Sequence, residues 1–218
     1  MTTSMKPVLD PRAAEGMHPV EVVQWAHQQF GDGLVVTCSF ADAVLPHLVS
    51  RAAPGVAVVL LDTQYLFAET LWFARSLSRD LALNLHVVEP LVDPDDRWQY
   101  DVESCCHVRK VEPLERALAG RAAWLTGVRR VEAPTRANTP VVTHDLLRDI
   151  VKVNPLATWT DDDMSRYIER EGLPEHPLTS KGYPSIGCWP CTQPVADGAD
   201  PRSGRWVGLA KTECGLHR

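Results

Sequence analysis

The chain has 218 residues, of which 44% are hydrophobic and 23% charged, and its net charge at pH 7 is −6. This length suits one α/β domain with a sizeable core, so we expect a single domain over residues 1–218. The negative charge argues against a broad basic surface for nucleic acid. No export signal precedes Met17 and no run of 18 apolar residues occurs, so we expect no membrane contact.

Apolar β-rich runs alternate with helical patterns in the first part of the chain. A helix is expected over residues 20–30, where Val22, Val23 and Ala26 share a face and Gly31 is the stop signal. The predicted strands and helices that follow are strand 34–38, helix 41–51, strand 56–61, helix 67–79, strand 85–88, helix 108–118 and strand 122–126. This alternation predicts an α/β fold with a mostly parallel sheet and helices on both faces.

The last quarter of the chain has a different character. A helix is expected to begin after Thr160, whose hydroxyl caps it while Asp163 returns the capping-box bond, and to end at Gly172. From residue 171 to 218 Gly and Pro recur and no long periodic segment appears. We therefore expect an irregular C-terminal tail that builds a site on the α/β body.

Two cysteine doublets are the sharpest local feature. They are Cys105 and Cys106 in ESCCHVRK, and Cys188 and Cys191 in GCWPCTQP. Four thiolates from two segments suit either zinc or an iron-sulfur cluster. Neighbouring side chains diverge by about 100 degrees on a helix, so an adjacent pair reaches separate iron atoms of a cluster more easily than one small ion. The pattern favours a 4Fe-4S cluster and keeps zinc as the alternative.

The two remaining cysteines call for different interpretations. Cys38 ends a predicted strand and is interpreted as a small buried hydrophobe. Cys214, in KTECGLH, would by position alone be a neutral surface thiol. Cations near it in sequence could stabilise a thiolate: Arg202, Arg205, Lys211 and His217. With no export signal, clustered cysteines favour metal binding or chemistry in a reducing cytoplasm over disulfides.

A candidate anion site lies at the ends of the predicted strands. The turn from Ser39 to Asp42 joins a strand to a helix, although such a turn without a glycine-rich fingerprint is also common in ordinary α/β loops. Five cations follow the cysteine pair or a strand end: Arg109, Lys110, Arg129, Arg130 and Arg136. A charge run is usually a solvated face, but ligands of open parallel sheets bind at strand ends, so both interpretations stay open.

The motifs together resemble the phosphoadenosine-phosphosulfate reductase family, in the branch that carries a 4Fe-4S cluster. The matching stretches are SFADAVL, LDTQYLFAET, CCHVRKVEPL, TGVRRVEAPTRA, KVNPLATWT, GYPSIGCWPCTQPV and GRWVGLAKTECGLH. The resemblance implies an adenine-nucleotide α-hydrolase-like fold. It also implies a cluster on Cys105, Cys106, Cys188 and Cys191.

The activity implied by the resemblance is reduction of adenosine 5'-phosphosulfate to sulfite and AMP, in assimilatory sulfate reduction and cysteine biosynthesis. Cys214 would be the nucleophile and would carry an S-sulfo group. Six residues are assigned to the substrate, the first three to its phosphosulfate and the others to its nucleotide: Lys110, Arg202, Arg205, Ser39, Arg129 and Arg130. LDTQ departs from the commoner LDTG, and SFADAVL is shorter than the usual phosphate loop.

Cys214 has no neighbouring cysteine, so release of sulfite needs an outside thiol, for which we expect thioredoxin or a similar dithiol protein. Glycines around Cys214 predict a mobile arm from about residue 197 to 218 that delivers it. The rival functions are reduction of the 3'-phosphorylated nucleotide, a tRNA-thiolating ATP pyrophosphatase-like enzyme, and a zinc-stabilised interaction module. The sequence leaves the oligomeric state open, a homo-oligomer included.

Overall fold

The structure is a computed structural model that describes residues 11–217. The first ten residues, on which part of the expectation about export depends, and Arg218 lie outside this range. Within the described range, none of the helices combines the length and the apolar character needed to cross a membrane.

In the described residues, the five predicted helices occur in the expected order, and three short helices that were not predicted accompany them. In chain order, the helices are α1 (Pro11–Ala14), α2 (Pro19–Phe30), α3 (Val44–Ala52), α4 (Ala68–Asp80), α5 (Arg97–Tyr100), α6 (Val102–Cys106), α7 (Glu112–Leu118) and α8 (Asp161–Glu171). Those that were not predicted are α1, α5 and α6. A π-helical turn over His107–Val111 joins α6 to α7. The single helix expected over residues 108–118 is therefore part of a longer, distorted helical segment that begins before the cysteine pair.

Over residues 11–217, six strands form one sheet in the order β3-β2-β1-β4-β6-β5. Their bounds are β1 (Leu34–Thr37), β2 (Ala57–Leu61), β3 (Asn84–Val88), β4 (Ala123–Leu125), β5 (Val142–Asp145) and β6 (Ile150–Val153). All pairs are parallel except β5 with β6. This confirms the mostly parallel α/β fold, and the β5–β6 hairpin adds two strands that the sequence analysis did not predict.

Both faces of the sheet are buried, because consecutive side chains of the central strands pack into different hydrophobic clusters. Val36 on β1 and Leu125 on β4 belong to the larger core cluster, which includes residues of α2 and α3. Val35 and Trp124, one residue away on the same strands, pack instead with Leu114 of α7. Successive strand side chains point to opposite faces, so helices cover the sheet on both sides, as predicted.

The helix ends follow the sequence signals. Thr160 and Asp163 form the expected capping box at α8, with Asp163 N donating to Thr160 Oγ1 at 3.2 Å. Gly172 ends α8 in the left-handed conformation, with φ of 62°. Helix α3 begins later than expected because Val44 N donates to Asp42 Oδ1 at 2.8 Å, which holds residues 41–43 in a turn.

Candidate active site

A cavity of about 260 Å³ opens at the carboxyl ends of the central strands. Thr37 and Cys38 at the end of β1, and Thr126 and Gly127 after β4, contribute to its lining. The chain proceeds from β1 to β2 and β3 on one side and returns to place β4 on the other. Ligands of open α/β sheets bind at such a switch point. We call this space the strand-end cavity.

The strand-end cavity brings together one thiol and several cations. Cys214 lines it with Lys110, and three arginines complete the cationic lining: Arg136, Arg202 and Arg205. A glycine makes room for one of them, since a Cβ on Gly187 would collide with the Arg205 guanidinium. The cavity is therefore suited to a ligand with several negative charges next to a nucleophile.

The cations change the acidity of the Cys214 thiol. Burial opposes ionisation, but Lys110, the backbone N–H of Leu216 and Arg205 together lower the pKa of Cys214 below its ordinary value. The pKa values of two other thiols change in the opposite direction. Burial raises the pKa of Cys106 to about 11 and also raises the pKa of Cys38. Because the thiolate is the reactive form, Cys214 has the environment of a nucleophile.

The C-terminal tail packs against the body instead of extending away from it. The imidazole of His217 stacks on the Trp124 indole with ring centroids 5.4 Å apart, and Leu216 packs against the core cluster that contains Trp124. Lys211 Nζ lies 2.5 Å from Glu103 Oε1. The structure therefore shows the docked position of the segment from residue 197, and its mobility stays a prediction.

A second, much smaller cavity adjoins the first and contains the two cysteine doublets. Its lining includes all four predicted ligands: Cys105, Cys106, Cys188 and Cys191. We call it the cysteine cavity. Lys110 lines both cavities, so its ammonium group connects the two sites. Although burial disfavours the charge, Cys188 and Cys214 raise the pKa of Lys110 above its ordinary range.

The adjacent cysteines end a short helix that precedes a distorted turn. Asp101 caps α6 by accepting a hydrogen bond from Ser104 N at 3.0 Å, and Cys105 and Cys106 form the last turn of that helix. The π-helical turn follows directly. Such turns change the direction of successive side chains and are frequent at functional sites. Both thiols are buried here, as a shared site requires.

The LDTQ segment contacts Arg109, a residue that lines the cysteine cavity. Gln64 has a φ of 66°, a conformation that favours glycine, and its N–H donates to Asp62 Oδ1 at 2.9 Å. Its side chain accepts a hydrogen bond from buried Arg109. Arg109 in turn lies 4.6 Å from the centroid of the Tyr65 ring and 3.2 Å from the Asp95 carboxylate.

Buried side-chain nitrogens without a hydrogen-bond partner indicate whether the two cavities suit bound ligands. In the part of the chain that the structure describes, five buried side-chain nitrogens have no hydrogen-bond partner. Four of them belong to residues that line these cavities: Arg109 Nε, Arg205 Nε, Trp206 Nε1 and His217 Nδ1. Buried polar atoms are normally paired, so the arginine and tryptophan N–H groups are consistent with ligands that accept hydrogen bonds, and His217 Nδ1 accepts or donates according to its tautomer.

The donor set of the cysteine cavity also fits a sulfur-ligated group. Its four thiols are soft ligands of the kind that iron-sulfur clusters and zinc take. Over residues 11–217, no three His, Cys, Asp or Glu side chains converge so as to hold a metal ion. All four cysteines nevertheless line one cavity.

The structure brings together most, but not all, of the predicted substrate residues. Ser39, Lys110, Arg202 and Arg205 line the strand-end cavity. The two others lie outside its lining: Arg129 pairs with Asp161 at 2.8 Å, and Arg130 forms two bonds of 2.7 and 2.9 Å to Glu15. Their role in nucleotide binding stays a prediction without geometric support.

Some lining residues were not assigned to the site from the sequence. Arg136 lines the cavity and belongs to the same basic run as Arg129 and Arg130. Its position after a predicted strand end was the sequence signal that could have assigned it to the site. His217 was noted only as a nearby cation, whereas burial and neighbouring cations lower its pKa well below the ordinary value. It therefore enters the cavity as a neutral ring.

Comparison with known proteins identifies the family. Residues 33–194 match the phosphoadenosine phosphosulfate reductase domain. Adenosine 5'-phosphosulfate reductase of Mycolicibacterium smegmatis is 47% identical over 90% of this chain and 87% of its own length. The enzyme of that name from Streptomyces coelicolor is 45% identical over 94% and 91%.

Solved structures agree with this assignment. Phosphoadenylyl-sulfate reductase from Candida auris, in a phosphate complex, superposes with a TM-score of 0.73 at 27% identity, covering 82% of this chain and 92% of that one. NH3-dependent NAD synthetase from Campylobacter jejuni shares the fold at 14% identity, with a TM-score of 0.53 over 81% and 80% of the two chains. The chain belongs to the phosphoadenosine phosphosulfate reductase family.

Proposed function

We propose that the chain is an oxidoreductase that reduces adenosine 5'-phosphosulfate to sulfite and AMP. The observation that carries the proposal is the placement of the Cys214 thiol among Lys110, Arg136, Arg202 and Arg205 in the strand-end cavity. The relatives at 42–47% identity bear the name adenosine 5'-phosphosulfate reductase. This favours the 5'-phosphosulfate over its 3'-phosphorylated form.

The proposed first step is nucleophilic. The Cys214 thiolate attacks the sulfur of the phosphosulfate anhydride, an S–S bond forms, and the S–O bond to AMP breaks with its electron pair leaving on the phosphate oxygen. The product is an S-sulfocysteine on Cys214. In the second step a thiolate of an outside dithiol attacks Sγ of Cys214 and sulfite leaves, and the second thiol then closes a disulfide that regenerates the Cys214 thiol.

The cations make an attack between two anions feasible. Sulfate oxygens and the departing phosphate both carry negative charge, and fixed cations in a closed site stabilise that charge most in the transition state. Lys110, Arg202 and Arg205 are the residues that we assign to the phosphosulfate. Arg136 is held by Glu213 at 2.7 Å, so its charge is already partly compensated.

We further propose that Cys105, Cys106, Cys188 and Cys191 hold a 4Fe-4S cluster. The cavity that all four thiols line and the unpaired N–H groups of Arg109 and Trp206 support this proposal. When bound, such a cluster supplies a redox-active iron centre next to Lys110. Iron and acid-labile sulfide near four per chain after anaerobic purification would agree, whereas stoichiometric zinc would contradict it.

The electron donor that we propose is thioredoxin or a similar dithiol protein. All six cysteines are unpaired, and no second cysteine is positioned in sequence next to Cys214 to resolve the intermediate. Free thiols persist in a reducing compartment, so we propose that the reaction runs in the cytoplasm as part of sulfate assimilation.

Intact-mass analysis tests the nucleophile. The protein is incubated anaerobically with adenosine 5'-phosphosulfate and no thiol, and we expect a mass increase of one sulfo group on the C-terminal peptide. The adduct should be absent from Cys214→Ser and should be discharged as sulfite by reduced thioredoxin. Cys38→Ser is the matched control, because Cys38 also lines the cavity but burial raises the pKa of its thiol.

Two results would overturn the proposal. The first is an adduct on Cys38 or on one of the doublets. The second is full sulfite production by Cys214→Ser. Parallel reactions with the 3'-phosphorylated nucleotide test the substrate, and a faster adduct with that nucleotide would transfer the assignment to it.

A further inference from the structure

The residue before the nucleophile is the main polar anchor of the docked tail. Glu213 Oε1 and Oε2 accept hydrogen bonds from Arg136 Nε and Nη2, both at 2.7 Å. Thr135 Oγ1 donates to the same carboxylate at 3.1 Å, and Arg202 Nη2 lies 3.6 Å away. A planar guanidinium that forms two parallel bonds to a carboxylate fixes its direction as well as its distance. Because Cys214 is the next residue, this contact restricts where its thiol can lie, together with the contacts of Leu216 and His217.

The ion pair is shielded from water to an unusual degree for one that joins a tail to a body. The Arg136 side chain is 14% exposed and that of Glu213 is 22% exposed. Burial opposes both charges, yet each group stabilises the other, so the pKa of Arg136 is raised and that of Glu213 is lowered. Exposed pairs contribute little, whereas a shielded bidentate pair can hold a segment in one place.

The charge of Glu213 is unfavourable for the thiolate beside it. Lys110 and Arg205 lower the pKa of Cys214, and Glu213 acts in the opposite direction. A residue selected only to activate the nucleophile would not be an anion at this position. The contribution of Glu213 must therefore come from where it places Cys214 and not from its field.

We propose that Glu213 is a positioning residue, whose contact with Arg136 and Thr135 holds Cys214 in the strand-end cavity next to Lys110. This inference rests on the proposed function, since it concerns the same nucleophile. The contact between Glu213 and Arg136 would also be the one that keeps the predicted mobile arm docked. Opening the contact with Arg136 would release Cys214 from the cavity cations and present it to an outside dithiol.

The test is the variant Glu213→Gln, which removes the charge and keeps the size of the side chain. The rate of alkylation of Cys214 by iodoacetamide is followed against pH by mass spectrometry of the C-terminal peptide. If the contact positions Cys214, the freed tail moves away from Lys110 and Arg205, so the apparent pKa of Cys214 should rise towards that of an ordinary thiol. We expect kcat to fall about 10- to 100-fold, since small displacements of reacting groups have effects of that size, with KM changed less than kcat.

The opposite outcome has a clear signature. If Glu213 acts only through its charge, its removal leaves the tail docked and lowers the pKa of Cys214 further. A pKa that falls or stays at the wild-type value, or a kcat equal to that of wild type, overturns the inference. Glu213→Asp adds a second test, since it keeps the charge but shortens the side chain. It should lower kcat if position matters and leave kcat unchanged if charge alone matters.

Glu171→Gln is the matched control. Glu171 is 21% exposed and pairs with Arg51 at 3.2 Å, joining α8 to α3 away from the cavity lining. This variant should keep wild-type kcat and the wild-type pKa of Cys214. Failure of the proposed function would be visible separately, because wild-type protein would then form no sulfo adduct, whereas failure of this inference leaves wild type active and Glu213→Gln equally active.

Discussion

The α/β body and the tail beyond α8 are stabilised by different interactions. In the body, central strands pack side chains such as Val36 and Leu125 that are at most 1% exposed. After residue 172 the described chain forms no helix longer than three residues, as in the turn Trp189–Cys191. The tail is fixed by ion pairs and ring contacts, for example the pair of Glu213 with Arg136. Hydrophobic burial dominates in the body, whereas the tail combines a few buried side chains, such as Leu216, with directional polar contacts.

The candidate site takes residues from both regions. The body contributes Lys110 and the pair Cys105 and Cys106, and the tail contributes the other doublet and Cys214. A rigid scaffold with an irregular segment that carries the reactive groups is a common way to combine stability with adaptable chemistry. The comparison predicts that substitutions of body residues outside the two cavities change mainly the free energy of unfolding, and that substitutions of tail residues that line a cavity change mainly the chemistry.

Trp124→Ala should have the largest effect, because Trp124 belongs to both regions. Its side chain is fully buried, its Nε1–H donates to Thr37 Oγ1 at 2.7 Å, and His217 stacks on its ring. Truncating a buried tryptophan costs about 3 to 5 kcal/mol. We expect the free energy of unfolding, measured with urea, to fall by that amount. Without urea, where the variant is still folded, it should also lose sulfo-adduct formation.

Trp124→Phe is the control, because it keeps a ring for His217 while losing the hydrogen bond to Thr37 Oγ1. It should recover most of the adduct formation and part of the stability. Loss of stability in Trp124→Ala with fully retained adduct formation would show that the tail does not depend on this ring, and would contradict the dual role.

The body could be predicted from the sequence because its signals are local. The structure of three segments can be predicted from a few neighbouring residues each. They are the strand that begins at Leu34, the strand that ends at Leu61 and the helix start with the capping box at Thr160. The β5–β6 hairpin was missed because its turn contains Leu146 and Leu147 where a turn signal would be polar, glycine or proline. Those two leucines are apolar in sequence but exposed in the structure, at 86% and 77%.

The tail could be predicted only in part. Its cysteines and cations are visible in sequence, but the contacts that place them join residues far apart, as Arg136 and Glu213 are 77 positions from each other. No local pattern encodes such a pair. The π-helical turn after Cys106 also has no sequence signal of its own, so the distorted backbone that carries Arg109 and Lys110 could not be predicted.

A second prediction concerns a buried histidine that connects the tail to α4. His176 Nδ1 accepts a hydrogen bond from Leu178 N at 3.1 Å, so the ring proton lies on Nε2, which faces Thr70 Oγ1 at 3.0 Å. Burial lowers the pKa of His176 to about 4, although Glu69 opposes the shift. Protonation would place a second N–H against the Leu178 N–H, so the folded state keeps the ring neutral.

This pKa makes stability depend on pH in a defined window. The unfolded chain has the ordinary histidine pKa near 6.5, so between pH 6.5 and 4 it binds more protons than the folded chain. The free energy of unfolding should therefore fall as the pH is lowered through this window, by at most about 1.4 kcal/mol per pH unit from this group. His176→Asn, which keeps an acceptor for Leu178 N, should show a smaller slope in urea unfolding. Identical slopes for the two proteins would contradict the assignment.

The smallest effect should come from Thr160→Ala, a substitution in the body and outside both cavities. It removes the hydroxyl that accepts from Asp163 N at 3.2 Å and donates to Asp163 Oδ2 at 2.7 Å, and loss of such a cap costs about 1 kcal/mol. The midpoint of urea unfolding should fall with an unchanged m-value, and Thr160→Ser should restore it because it keeps the hydroxyl. Adduct formation per folded molecule should equal that of wild type, since neither Thr160 nor Asp163 lines either cavity. A reduced adduct rate in Thr160→Ala at full folding would mean that α8 and the site are coupled, and the division between a stabilising body and a reactive tail would then have to be redrawn.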